Sequence, residues 1–179
     1  MVRGTAPMNL QSNDFEIFGL PERFALDRAD LDARWKDLQR QAHPDRFASA
    51  DPASQRQAMQ WSVRINEAYQ RLKDPIKRAA YLCELRGAPI EAENNTAMPT
   101  DFLVQQMQWR EDLDEADGAD ALERMADEVA AARRARIATL QRGLDEQGDA
   151  AAAAREVRAL MFIERFARDV EDRLDQLGQ

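Results

Sequence analysis

The chain has 179 residues, 44% of them hydrophobic and 32% charged, with a formal net charge of −8 at pH 7, which suits one medium domain or two small ones. No run approaches the roughly 18 consecutive apolar residues of a membrane span, and the opening MVRGTAPMNLQSND lacks the apolar core of a secretory signal. A cytoplasmic protein with no membrane partner is therefore expected. One cysteine and one histidine are too few for an internal disulfide, a structural zinc or most catalytic metals, so neither a metal nor a bound cofactor is expected. The surplus of carboxylates falls wholly after residue 75. An acidic chain without a basic arm speaks against nucleic acid, and the shift in charge suggests two units with different partners.

Strand signals are nearly absent, because period-2 runs of β-branched residues are missing while Ala, Leu, Arg, Glu, Asp and Gln abound. The pattern predicts an all-α protein. Residues 1–10 carry no packing pattern and are expected to be disordered. A short helix is predicted over Asp14 to Phe18, capped by Asn13 and closed by Gly19-Leu20-Pro21. The next starts at the Asp27 cap and carries Leu31, Trp35, Leu38 and Ala42 up to His43-Pro44, where the proline disfavours helix in the residue before it. A third helix runs from about Pro52 to Leu72, with Trp61, Ile65, Ala68 and Leu72 facing inward.

Asp74-Pro75 reads as a cap with proline in the first helical position, opening a helix to Arg86 that turns Ala79, Leu82 and Leu85 to one side and ends at Gly87. Residues 88–99 read as a loop. Thr100 is expected to cap a helix to Ala116, and Asp120 a long one through Leu122, Met125, Val129, Ile137, Leu140 and Leu144. Gly148-Asp149 then turns into the last helix, to about Leu177. The expected organisation is an N-terminal unit over 11–75 and a helical bundle over 76–179.

The single histidine stands in HPDRF, residues 43–47, between two amphipathic helices that must pack antiparallel to bury their stripes. That places His43-Pro44-Asp45 at the tip of a hairpin. The plainer reading is a proline turn with Asp45 as a loop acceptor. With its flanks, namely Phe15, Ile17, Phe18, Leu20 and Pro21 before it and Ala68-Tyr69 and Leu72 after it, the segment resembles a J domain. That resemblance implies a co-chaperone of a DnaK-type ATPase, in which His43, Pro44 and Asp45 stimulate ATP hydrolysis by the partner. At about 100° per residue Lys36, Arg40 and His43 fall within about 60° of one another, opposite the apolar stripe. By the same resemblance Lys36, Arg40 and Arg46 supply attraction to the chaperone, weakening with salt; an ordinary solvated face is the alternative for the first two.

No Gly/Phe-rich linker or CxxCxGxG repeat follows, as it would in general DnaJ proteins. Instead NDFEIFGLPERFALD, LQRQAHPDRFAS, INEAYQRLKDPIKRAAYLCELRG and DFLVQQMQWREDLDE resemble HscB-type co-chaperones of iron-sulfur cluster assembly, over about residues 13–177. The resemblance implies an HscA-type chaperone partner, an IscU scaffold partner, a C-terminal three-helix bundle and a monomer or weak dimer. Mitochondrial relatives can carry an N-terminal CxxC pair; its absence here favours the bacterial type.

A helical wheel of residues 100–116 gathers Phe102, Trp109 and Leu113 for the core, yet puts Leu103, Val104 and Met107 on another face beside Gln108, Glu111 and Glu115. Either this second face packs on a neighbouring helix, or it is an exposed apolar patch rimmed by carboxylates, which marks an interface. In the last helix Ile163, Phe166, Val170 and Leu174 form the inward stripe, and Met161 and Phe162 are expected to point away from its centre. Carried over from the family, the scaffold-binding face comprises Leu103, Val104, Met107, Gln108, Glu111, Glu115 and Phe162. The family often has Met where Val104 stands and Glu where Gln108 stands. Cys83, among Tyr81, Leu82 and Leu85, reads as a small core residue rather than a cluster ligand.

No GxGxxG, GxxxxGK[ST] or HExxH occurs, and the carboxylates are scattered, so no enzyme is expected. A general J-protein for unfolded clients and a helical interaction module without an ATPase partner are the alternatives.

Overall fold

The structure, a computed structural model, describes residues 9–178. These form seven α-helices: α1 (Asp14–Phe18), α2 (Arg28–Ala42), α3 (Pro52–Lys73), α4 (Pro75–Leu85), α5 (Thr100–Glu115), α6 (Ala119–Arg142) and α7 (Ala150–Leu177). A 3-10 turn covers Pro44–Phe47 and a π-type turn covers Gly143–Gln147; there is no strand among the described residues. Two compact units meet at Arg78 and Ala79, within α4. The disorder expected over 1–10 falls mostly on residues outside those described; of the remainder, the Leu10 carbonyl accepts from Arg64 Nε at 3.2 Å.

In the first unit, α1 is short enough to need both ends tied. The Asn13 side chain accepts from the Glu16 N–H at 2.9 Å and donates to the Glu16 carboxylate at 2.8 Å. At the other end Gly19 adopts φ 63°, and Leu20 N–H returns to the Phe15 carbonyl at 2.9 Å. Phe15, Ile17 and Phe18 of this turn are buried, as are Leu31 of α2 and Ile65, Ala68 and Leu72 of α3, the two helices on which α1 packs, each large side chain contributing about 1.5–3 kcal/mol. Asp14 is fully buried with them, held by Arg64 at 2.8 Å and Arg71 at 2.5 Å. A carboxylate taken out of water survives because two guanidinium groups replace its hydration.

The second unit is built around α7, in which the successive residues Val157, Arg158, Ala159 and Leu160 are all buried. Such a helix is central, packed on more than one side. Phe162 and Phe166 stack on each other at 5.9 Å, Phe102 meets Phe162 edge-on at 5.6 Å, and Trp109 stacks on Phe166 at 5.4 Å, so α5 docks through rings. Trp109 Nε1 donates to Glu128 of α6 at 3.0 Å. Arg158 donates to the carbonyls of Ile90 at 3.0 Å, Ala97 at 3.1 Å and Pro89 at 3.4 Å, fastening the 88–99 loop to α7.

Several local expectations need correction. Phe162 is only 6% exposed; α7 has no single inward stripe, because α5 covers the side on which Phe162 lies. Leu85 is exposed and Cys83 is buried in its place, since α4 stops at Leu85 and the chain turns through Arg86 and Gly87. Thr100 and Asp120 lie inside their helices rather than at the caps, which are Pro99 and Gly118 and have no side-chain cap bond. Leu144 is buried but belongs to the π-type turn.

Candidate functional site

Two exposed surfaces carry the residues singled out by the sequence, one on each unit. On the first unit α2 ends at Ala42 because His43, preceding proline, is extended at φ −61°, ψ 131°. Pro44 then opens the 3-10 turn. The Asp45 N–H donates to His43 Nδ1 at 3.2 Å, and the Arg46 N–H donates to the His43 carbonyl at 3.0 Å. His43 thus caps the turn while its ring and the Asp45 carboxylate remain largely in solvent, at 54% and 92% side-chain exposure.

The hairpin beneath is braced at several levels. Gln55 Nε2 donates to the Ala48 and Ala50 carbonyls, both at 3.1 Å, holding the loop on α3. Ser62 Oγ donates to Gln39 Oε1 at 3.0 Å across the two helices. Lower down, Trp35 stacks on Tyr69 at 4.6 Å, and Tyr69 Oη donates to Asp32 at 2.7 Å. Hydrogen bonds from Arg28 first and Tyr69 second hold the Asp32 carboxyl below its ordinary range. These ties keep α2 and α3 in register, so the turn is presented on a stiff stem.

Lys36, Arg40 and Arg46 are exposed, and Pro44 is half-buried. Arg40 pairs with Asp37 at 2.7 Å, a partner the sequence reading missed although its i, i+3 spacing signals it. Both side chains lie mostly in water, where such a pair contributes little and exchanges readily.

On the second unit Leu103, Val104 and Met107 are 41%, 68% and 65% exposed. Of the two readings of this helix, the outward one describes them: among the described residues no neighbouring helix covers that face. Gln108, Glu111 and Glu115 are exposed around it, Gln108 bonding Asp112 at 2.8 Å. Phe162 does not join them; it backs α5 from inside, through Phe102. Cys83 is buried, and among the described residues no cluster of three or more His, Cys, Asp or Glu side chains is placed to hold a metal ion.

The reading from sequence missed Arg158 and three arginines between α5 and α7. Arg158 had a signal: it falls in phase with Ala154 and Phe162 on a buried stripe, where a charge must find partners.

An antiparallel hairpin that displays His-Pro-Asp at its tip, followed by a separate helical bundle, is the architecture of a J-domain co-chaperone with a C-terminal helical domain. Comparison with known proteins narrows this class. Residues 98–171 match the family described as the HSCB C-terminal oligomerisation domain. The chain is 50% identical over 173 residues, 95% of its length and 98% of the relative's, to the co-chaperone protein HscB homolog of Burkholderia mallei. It is 51% identical over 166 residues, 91% and 94% of the two chains, to that of Ralstonia nicotianae. Chaperone HscB from Vibrio cholerae superposes with a TM-score of 0.78 at 39% identity, covering 93% of this chain and 99% of that one. The human co-chaperone protein HscB shares the fold, with a TM-score of 0.84 at 24% identity over 96% and 86% of the two chains. The chain belongs to the HscB co-chaperone family.

Proposed function

We propose that this co-chaperone binds an IscU-type iron-sulfur scaffold through the outer face of α5 and delivers it to an HscA-type, DnaK-like chaperone in the bacterial cytoplasm. Its His-Pro-Asp turn stimulates the chaperone's ATP hydrolysis, and the protein itself catalyses nothing. The observation that carries this reading is the His43-Pro44-Asp45 turn at the end of a braced hairpin, with His43 and Asp45 exposed and Lys36 and Arg40 exposed on the helix that leads to it.

The division of labour follows from the chemistry. The basic face of α2 attracts an acidic partner surface and aligns it, an effect of rate and orientation that salt weakens. Asp45, held by a short turn and left in solvent, offers its carboxylate to the partner. Leu103, Val104 and Met107 supply the apolar centre of the scaffold contact, with Gln108, Glu111 and Glu115 as a polar rim. Binding both partners at once raises the scaffold's effective concentration at the chaperone.

The test is steady-state ATP hydrolysis by the HscA-type chaperone with scaffold present, comparing the native protein with His43→Gln. Stimulation by the native protein and its loss in the variant is the expected result. Equal stimulation by both removes the turn from the mechanism.

A further inference from the structure

Beside the exposed face of α5 lies a groove of about 550 Å³ formed with α7. Its apolar lining is Leu113, Phe162 and Phe166. Three arginines stand on its walls: Arg110 from α5, and Arg165 and Arg168 from α7. Arg110 lies over the Phe162 ring at 5.2 Å, which fixes its guanidinium at the groove edge. Among the described residues none of the three has a carboxylate within ion-pairing distance. Arg133 pairs with Glu164, Arg136 with Asp101 and Glu156, and Arg158 holds the loop carbonyls; the other arginines without an ion pair among the described residues of this unit, such as Arg124 and Arg155, do not line the groove.

The helical wheel makes the groove continuous with the face already assigned to the scaffold, since Arg110 is three residues beyond Met107 and seven beyond Leu103. Unpaired arginines over aromatic rings, in a unit whose net charge is negative, form a local inversion of sign that favours an anionic visitor. Arginine is also the residue best shaped to grip a carboxylate with two parallel hydrogen bonds. Asp114 and Asp169 stand on the same walls, and would repel a polyphosphate or nucleic acid strand while tolerating a single carboxylate.

We propose that this groove is the second half of the scaffold-binding surface, receiving a segment of the partner that carries an Asp or Glu beside an apolar side chain. The carboxylate meets Arg165 and Arg168, and the apolar group lies on Leu113 and Phe166. The proposal rests on the scaffold reading of α5 above. It assigns the apolar face to affinity and the groove to orientation and to the salt dependence of binding.

The experiment is a calorimetric titration of IscU-type scaffold into the native protein, R165Q/R168Q and L103A/M107A, at low and at high salt. Because Arg165 and Arg168 make no ion pair among the described residues, the arginine variant is expected to melt like the native protein. It should bind about fivefold more weakly at low salt and lose most of the native salt dependence. L103A/M107A should weaken binding at both salts and keep that dependence. Native-like binding by R165Q/R168Q at both salts, with loss in L103A/M107A, overturns the groove and leaves the α5 face standing. Loss in R165Q/R168Q alone overturns the α5 face, and with it the groove as the second half of one surface. Native-like binding by both variants overturns both.

Discussion

Cys83 has the environment of a core residue and the titration to match. Burial pushes its thiol up from an ordinary 9.0 to about 11, against a smaller opposing pull from Arg86 and then Arg158. The sign follows directly: the unfolded chain loses this proton near pH 9 while the native one keeps it, so the stability it contributes is whole below pH 9 and declines as pH rises towards 11. Reaction with a thiol reagent at pH 8 is therefore expected only at the rate at which the chain unfolds, followed by absorbance with and without denaturant. Prompt labelling of the native protein would contradict this burial. Asp14 and Arg158 are the opposite kind of buried group, charged and retained by partners. Neither partner set was legible in the sequence, since Asp14 is joined to Arg64 and Arg71 across fifty residues of chain or more, and helical phase tells which residues are inside but not whom they meet.

Helix boundaries were legible wherever punctuation was chemical. Asn13, Asp27 and Asp149 each accept a backbone N–H from the first turn of their helix, and Gly19 and Gly148 both adopt the left-handed conformation that closes a helix. They were not legible at α5 and α6, which begin without a side-chain cap, so nearby Thr100 and Asp120 looked more apt than Pro99 and Gly118. Phase failed on α7 for a different reason: a helix covered on several sides has no single apolar stripe, and Phe162 therefore looked outward. At the end of α4, Gly87 takes φ 81°, and the Ala88 N–H reaches the Cys83 carbonyl at 2.8 Å. A Cβ built there meets nothing within 4 Å, so Gly87→Ala tests backbone strain alone. It should destabilise the protein by about 1 kcal/mol, read from urea denaturation with the slope unchanged. A neutral effect would show that this turn relaxes without cost.

At the scale of the whole molecule, the two surfaces draw on different units with separate cores. If each acts through its own fold, their failures should separate. Asp45→Asn is expected to abolish stimulation of the chaperone while leaving scaffold affinity unchanged by titration, because the side chain is exposed and holds no part of the second unit. A fall in scaffold affinity in that variant would mean the two units communicate.

The turn at the hairpin tip also makes the chain a convenient spectroscopic object. His43 is its one histidine, and with Nδ1 accepting from the Asp45 N–H the neutral ring carries its proton on Nε2. A sample labelled with nitrogen-15 in the imidazole gives a single pair of ring resonances, needing no assignment. Their tautomer signature reports whether that turn stays wound or opens when another protein seats on it.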